Sequence, residues 1–133
     1  MYLLDTNVCI RLLNGRSPHV TQRLQRHRPA EIALCAVVKA ELIHGAHRSN
    51  RTAENLRLLD RFFVPFVSLP FDDRCAGVYG RIRADLERDG LPIGPNDTFI
   101  AAIAVAHGLT LVTANTREFE RVIGLAIENW EAV

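Results

Sequence analysis

The sequence predicts an α/β fold: one domain with a mainly parallel sheet of about four to five strands. Short apolar runs, each long enough for one buried strand, alternate with longer amphipathic segments along all 133 residues. This alternation is typical of a parallel sheet that helices cover on both faces. No linker, internal repeat or low-complexity stretch interrupts the chain, so we expect residues 1–133 to form a single domain.

The first half of the chain contains three predicted strands. The run 2–4 is apolar, and a helix over 8–13 follows it, which Asp5 and Thr6 can cap and Asn14-Gly15 ends. Residues 19–27 are polar and fit either a helix or a loop. A strand over 31–35 precedes helices over 37–47 and 53–64, in which apolar residues recur at three and four positions. The third strand, 66–69, ends at a proline.

The second half begins with a long predicted helix over 73–89. A rigid Gly-Pro turn leads to Asp97 and to the most apolar helix of the chain, 98–107, with Gly108 as its C-terminal cap. A strand over 109–113 follows, then a polar loop or helical turn over 114–121. Residues 125–127 complete the sheet as a short last strand.

Composition excludes several classes of protein. Apolar residues make up 48% of the chain, and 16 basic residues balance 15 acidic ones, which excludes a disordered or collagen-like chain. A net charge of +1 gives no bulk attraction to nucleic acid, so any such contact needs a local patch. Cys9, Cys35 and Cys75 fit no paired zinc spacing and are expected to be buried free thiols, as in a reducing cytoplasm. With no signal peptide or membrane span in the sequence, we expect a cytoplasmic protein.

The positions of the acidic residues are the most informative feature. Asp5 ends the first strand, Asp97 starts the apolar helix, Glu41 lies between apolar neighbours, and Glu118 and Glu120 follow a late strand. Each alone has an ordinary explanation as a helix cap or a surface charge. Together they fit the carboxyl edge of one sheet, where α/β proteins bind ligands. Carboxylates that share a pocket repel one another unless a cation is present, and oxygen ligands suit Mg²⁺ or Mn²⁺.

Four segments of the chain together resemble the PIN-domain toxins of the VapC type. They are YLLDTN at 2–7, AELIHGA at 40–46, IGPNDTFIAA at 93–102 and LVTANTREFERV at 111–122. The resemblance implies a PIN-like (Rossmann-like) α/β/α sandwich. It further implies a Mg²⁺-dependent endoribonuclease of a bacterial toxin–antitoxin pair, which forms a homodimer and is neutralised by a VapB-type antitoxin.

The resemblance also assigns residues. Asp5 and Asp97 correspond to the principal metal ligands, and Glu41 and Glu118 to the other catalytic carboxylates, which would orient water. Glu120, two positions further on, would then face solvent. Many relatives carry Asp where this chain has Asn115. Four polar residues are expected as supporting contacts to these carboxylates or to phosphate: Thr6, Asn7, Thr113 and Asn115.

Other functions stay open on the sequence alone. A DNA nuclease of similar fold and a catalytically silent binding domain both fit. A phosphatase of the haloacid-dehalogenase type would need Asp at position 7, where this chain has Asn, and a dinucleotide site would need a glycine-rich turn after the first strand.

Two surface features of the sequence suggest interactions. Arg11 is a candidate for binding substrate phosphate, because it lies shortly after Asp5; the alternative is an exposed, solubilising arginine. In the helix predicted over 53–64, Leu58 and Phe62 widen the stripe formed by Leu56, Leu59 and Phe63. Such a surplus predicts an interface with a second copy or with an antitoxin helix, unless the helix is wedged inside the core.

Overall fold

In a computed structural model, residues 1–132 are described, and they form one α/β unit around a five-stranded parallel sheet. The strands are β1 (Tyr2–Leu4), β2 (Ile32–Cys35), β3 (Val67–Leu69), β4 (Thr110–Val112) and β5 (Ala126–Glu128). The helices are α1 (Thr6–Asn14), α2 (Pro18–Gln25), α3 (Ala36–Arg48), α4 (Thr52–Phe63), α5 (Asp73–Arg88), α6 (Pro95–His107) and α7 (Thr116–Phe119). The predicted fold class, including the parallel sheet, is confirmed.

The strands follow the order β3-β2-β1-β4-β5, and every pair is parallel. β1 therefore lies in the middle, with β2 on one side and β4 on the other. The strand order reverses beside β1, and such a switch point opens a crevice at the carboxyl ends of the strands. The residue that follows β1 is Asp5.

The strands form because their residues are apolar on both faces of the sheet. All four residues of β2 are buried, as are Leu3 and Leu4 in β1 and Leu111 and Val112 in β4. α6 has seven buried residues, six of them alanine or isoleucine, and five of these six are consecutive, from Ile100 to Ala104. Burial on both faces is why these strands are continuous apolar runs and do not alternate between apolar and polar residues.

Several predicted element boundaries need correction. A 3-10 turn over Pro29–Glu31 precedes β2, so the strand begins at Ile32, and 19–27 contains helix α2. Residues 114–121 contain the single helical turn α7. α6 begins at Pro95, after the cap residue Gly94, because a proline's fixed φ suits the first helical position. Asp97 is therefore the third residue of the helix.

The helix predictions that rested on glycine are confirmed. Gly15 and Gly108 end α1 and α6 with φ of 67° and 65°, a left-handed conformation that other residues adopt only with strain. Cys9, Cys35 and Cys75 are buried free thiols, as expected. Within residues 1–132, no helix is both long and apolar enough to span a membrane.

Candidate active site

The topology brings four carboxylates to the carboxyl edge of the sheet. Asp5 follows β1, Glu41 lies on α3 after β2, Asp97 is in the first turn of α6, and Glu118 is in α7 after β4. The backbone N–H of Asp5 donates to the carbonyl oxygen of Val112 at 3.0 Å, which ties the end of β1 to the end of β4. The four side chains are close enough for Asp5, Glu41 and Glu118 all to act on the pKa of Asp97.

Asp5 is the most firmly held of the four. It is only 6% exposed, and one carboxylate oxygen accepts a hydrogen bond from the buried Thr113 hydroxyl at 2.8 Å. The other oxygen accepts the Thr6 N–H at 2.8 Å, so Asp5 is also the N-cap of α1. Burial raises the pKa of Asp5, while these two hydrogen bonds oppose the rise and the nearby Glu41 adds to it. The Asp5 carboxylate therefore both caps α1 and belongs to the candidate site.

The pKa of the Asp97 carboxyl group is strongly raised. Burial is the largest cause that raises its pKa, from 3.8 to about 6, and the negative charges of Asp5, Glu118 and Glu41 add to it. Burial and the three neighbouring carboxylates make ionisation of Asp97 unfavourable in free energy when no metal is bound. The group that would relieve that cost is a cation between them.

Glu41 is held by two other segments of the chain. Its Oε1 accepts a hydrogen bond from the Thr6 hydroxyl at 2.6 Å, and its Oε2 accepts a longer one, 3.4 Å, from the Asn96 amide. Thr6 is the first residue of α1 rather than its cap, so its hydroxyl is free to orient Glu41. The solvent-facing alternative for Glu41 is therefore replaced by a partly buried, doubly bonded carboxylate.

In the segment after β4, Glu118 lies near the other carboxylates and Glu120 faces solvent. Glu118 Oε2 accepts from the Asn115 side-chain amide at 2.9 Å, and the Asn115 N–H donates to the Thr113 hydroxyl at 3.0 Å. Phe119 is fully buried between the two glutamates, and Glu120 is exposed. The orientation inferred from the buried phenylalanine is the one that the structure has.

The two remaining sequence candidates lie at the edge of this arrangement. Asn7 is exposed in the first turn of α1. Arg11 forms an ion pair with Glu131, Nε to Oε1 at 2.9 Å, so its guanidinium is directed towards the C-terminal segment. Among residues 1–132, no ion pair or hydrogen bond joins Arg11 to the four carboxylates. Its predicted role in binding substrate stays a prediction.

Sequence reasoning gave no role to Asn96. Its amide links the first turn of α6 to Glu41, and with Thr6 it bridges three helices around one carboxylate. The available signal was its position in Gly94-Pro95-Asn96-Asp97, where a polar residue beside a site aspartate enters the first turn of a helix.

The donor set fits a hard divalent cation. The four groups offer only carboxylate oxygens, and the side chains that donate hydrogen bonds to them are hydroxyls and amides: Thr6, Asn96, Thr113 and Asn115. Oxygen-only sites suit Mg²⁺ or Mn²⁺ and disfavour zinc. The raised pKa of Asp97 is what a cation site shows when its carboxylates must repel one another without the ion.

Comparison with known proteins decides the family. The sequence matches the PIN domain over residues 2–125. The chain belongs to the PIN-domain family. It is 40% identical over 129 residues to the tRNA(fMet)-specific endonuclease VapC of Shigella flexneri, which covers 97% of both chains. It is 37% identical over 132 residues to the ribonuclease VapC2 of Rickettsia felis, which covers 98% of both. Similarity at this level places this PIN-domain protein in the VapC group.

Solved structures support the same family assignment. The fold matches DNA-bound VapBC from Salmonella typhimurium with a TM-score of 0.91, at 37% identity over 97% of each chain. VapBC2 from Rickettsia felis, bound to a DNA fragment from their promoter, matches with a TM-score of 0.89 at 36% identity, covering 97% of this chain and 98% of that one. The resemblance that the four sequence segments suggested is confirmed. PIN-domain nucleases are in general dependent on a divalent metal.

Proposed function

We propose that this PIN-domain protein hydrolyses RNA phosphodiesters with a Mg²⁺-activated water held by Asp5 and Asp97. As a member of the VapC group it is a ribonuclease toxin of a toxin–antitoxin pair. The observation that carries the metal assignment is the convergence of Asp5, Glu41, Asp97 and Glu118 at the carboxyl edge of the sheet. The pKa of Asp97, raised to about 6 by burial and then by the charges of the other three, supports it. Mn²⁺ is expected to replace Mg²⁺, because both accept an all-oxygen ligand set.

We assign a role to each carboxylate from its burial and its hydrogen bonds. Asp5 is fixed by two hydrogen bonds and buried, which suits a ligand that must not move. Asp97 comes from the first turn of α6, and it would share one ion with Asp5. When bound, Mg²⁺ lowers the pKa of water and stabilises negative charge on a phosphoryl group.

Glu41 and Glu118 are partly exposed and each keeps carboxylate capacity beyond its hydrogen bonds. They are placed to orient water and to accept its proton. The Thr6 hydroxyl and the Asn115 amide hold these two glutamates, and the Thr113 hydroxyl holds Asp5. These three residues are therefore assigned as positioning residues, while Asn7, exposed beside Thr6, is left as a candidate phosphate contact.

The substrate is proposed to be RNA, with transfer RNA as the first class to test. Two curated relatives at 37–40% identity are named as a tRNA(fMet)-specific endonuclease and as a ribonuclease. RNA and the three free thiols both favour action in the cytoplasm. The whole of residues 1–133 is proposed to act as the one PIN domain.

Cleavage of labelled transfer RNA by the purified chain tests this function. We expect cleavage with Mg²⁺, none in excess chelator, and recovery when Mg²⁺ is restored. Asp5→Asn keeps the cap of α1 but removes a metal ligand, and it should lower the rate at least about a hundredfold. Single-stranded DNA of the same sequence is the competing substrate, and equal cleavage of DNA would favour the DNA-nuclease alternative. Cleavage that persists in chelator would contradict the mechanism.

A groove beside Glu41 is proposed as the docking site of the VapB-type antitoxin. Structural relatives are VapBC complexes. The groove has a volume of 330 Å³ and lies between α1, α3 and α4, with Ile10 and Leu58 exposed by 42% and 41% on its walls. Leu59 and Leu42 form its buried floor. Of the five apolar residues of α4, Leu59 is buried, and Leu56, Phe62 and Phe63 are half-buried against the core, as the wedged-helix alternative predicts. Leu58 is the exposed one, and it lies on the groove wall.

The groove includes Glu41, so an apolar helix lying in it would end next to the carboxylates. Occupation would then block substrate as well as bind the toxin. Co-purification of the chain with its tagged antitoxin, in wild type and Leu58→Asp, tests the placement. We expect Leu58→Asp to lose the complex and keep ribonuclease activity, with Leu91→Asp, which is 49% exposed outside the groove, as the control. Equal complex formation by both variants would place the antitoxin elsewhere.

A homodimer is expected for the isolated chain. Its mass in solution at several concentrations tests this, and a monomer throughout would contradict it.

A further inference from the structure

A second group of ligand-type side chains lies away from the carboxylates. Asp72, Cys75 and His107 each present one ligand atom, and these atoms all lie within 4.8 Å of one another. Asp72 caps α5, Cys75 is in the first turn of that helix, and His107 is the last residue of α6. His107 and Asp97 are ten residues apart on α6, about 15 Å along the helix axis. The group is therefore separate from the active site.

The three side chains are held on rigid, packed elements. α5 has 16 residues and α6 has 13, and the two helices pack along one another. Asp72 Oδ1 accepts the Cys75 N–H at 3.1 Å, which fixes the aspartate and leaves Oδ2 available. Ligands on packed helices keep their geometry better than ligands on loops.

Two of the three groups are free for a new partner. The Cys75 thiol makes a long contact, 3.9 Å, with the carbonyl oxygen of Pro70, and its other polar neighbour is the Asp72 carboxylate, which belongs to the same group. Within residues 1–132, His107 takes part in no side-chain hydrogen bond or ion pair, and it is exposed. Binding an ion would therefore cost these groups little of their present bonding.

The chemistry of this set differs from that of the active site. It combines a sulfur, an imidazole nitrogen and a carboxylate oxygen, whereas Mg²⁺ takes oxygen ligands alone. Zinc accepts all three types in tetrahedral geometry, at about 2.0–2.3 Å from each ligand atom. That geometry needs ligand atoms about 3.6 Å apart. The three atoms already lie within 4.8 Å of one another, and rotation of the exposed His107 side chain would bring its imidazole closer to the other two. A thiolate and a carboxylate also balance the charge of the ion.

We propose that Asp72, Cys75 and His107 form a second metal site, for Zn²⁺ or a similar borderline transition metal, with water as the fourth ligand. The bound ion would fasten the start of α5 to the end of α6. It has no part in hydrolysis, because it lies at the far end of α6 from Asp97. Its effect would be on the stability of the fold, since an ion that binds only the folded chain stabilises it.

Titration of the full chain with Co²⁺ in excess Mg²⁺ tests this site. Mg²⁺ fills the carboxylate centre and does not take the thiol, so a thiolate-to-cobalt absorption band reports Cys75 specifically. We expect the band to saturate at one Co²⁺ per chain, to disappear on addition of Zn²⁺, and to be absent in Cys75→Ser. Zn²⁺ should also raise the Tm of the wild-type chain. None of these readouts depends on ribonuclease activity.

Two exposed variants serve if Cys75→Ser does not fold. Asp72→Asn keeps a good helix cap and His107→Gln stays on the surface, and each should weaken Co²⁺ binding at least about tenfold. The matched controls are Asp73→Asn and His47→Gln, which lie in the first turn of α5 and the last turn of α3. Binding that is equal in the two variants and the two controls, or no thiolate band in wild type, would overturn the proposal.

Discussion

Replacing Asp97 with Asn should make the metal-free protein more stable. Asn has nearly the same shape as Asp but carries no charge, so it removes the cost of burying the charge, which is the larger cause of the raised pKa, and the repulsion from Asp5, Glu118 and Glu41. Most substitutions destabilise a protein. A gain in stability at a site that the reaction needs would therefore identify electrostatic strain, of the kind that functional sites retain.

The size of the effect follows from the pKa of Asp97. A rise from 3.8 to about 6 corresponds to about 3 kcal/mol for a fully shielded group. Asp97 is partly exposed, so solvent screening reduces this to about 1–2 kcal/mol. The N-terminus of α6 favours a negative charge by a few tenths of a kcal/mol, which offsets a further part. We expect a net gain of about 1 kcal/mol at pH 7.

The pH dependence has a definite sign. Because the folded-state pKa is raised, ionisation of Asp97 destabilises the fold, and this penalty is complete above pH 6. As pH falls from 7 to 4, the folded protein binds the proton first, so the penalty shrinks, and it is gone only below the unfolded pKa of 3.8. The difference in stability between Asp97→Asn and wild type should therefore be largest at pH 7 and shrink towards pH 4.

Urea unfolding in excess chelator, at pH 7 and pH 4, measures both effects. Asp73→Asn is the matched control, because Asp73 is an exposed aspartate in the first turn of α5. It should be slightly less stable than wild type at pH 7. Addition of Mg²⁺ should stabilise wild type far more than Asp97→Asn. A loss of stability in Asp97→Asn equal to that in Asp73→Asn would refute the electrostatic reasoning.

Three further predictions concern individual contacts. Thr6→Val removes the 2.6 Å hydrogen bond to Glu41 and should lower the cleavage rate about tenfold, while Thr6→Ser keeps the hydroxyl and should retain most of the rate; equal rates would deny Thr6 a positioning role. Glu118→Gln should impair metal-dependent cleavage and Glu120→Gln should leave it nearly intact, and the reverse result would mean that α7 is oriented wrongly. Arg11→Ala should reduce the salt dependence of RNA binding if Arg11 contacts phosphate; an unchanged slope would leave it only the ion pair with Glu131.

Much of the fold could be predicted because each strand carries its own apolar run. β2 and β4 are buried almost throughout, and a continuous apolar stretch of four or five residues leaves few other assignments. The parallel arrangement followed from the helices between the strands. Asp5 could be predicted as a site residue because it ends the first strand, at the edge of the sheet where α/β proteins bind ligands. The boundary errors arose where a local rule acts over one or two residues, as with Pro95 at the start of α6.

The rest of the site depends on contacts distant in sequence. The Thr6–Glu41 and Asn96–Glu41 hydrogen bonds join residues 35 and 55 positions apart, and neither follows from local patterns. The same is true of the ion pair between Arg11 and Glu131, which the position of Arg11 near Asp5 did not suggest. Asp72, Cys75 and His107 also lack the spacing of a zinc motif, because packing of α5 on α6 brings them together.

Whether the four carboxylates form one divalent-metal site is measured most directly by Mn²⁺ binding, followed by electron paramagnetic resonance of the free ion. Mg²⁺ competition identifies sites that the two ions share. We expect tight binding by the wild-type chain that Mg²⁺ displaces, little binding by Asp5→Asn or Asp97→Asn, and unchanged binding by Glu120→Gln. Mn²⁺ affinity that is the same in Asp5→Asn, Asp97→Asn and wild type would contradict the metal centre on which the proposed mechanism depends.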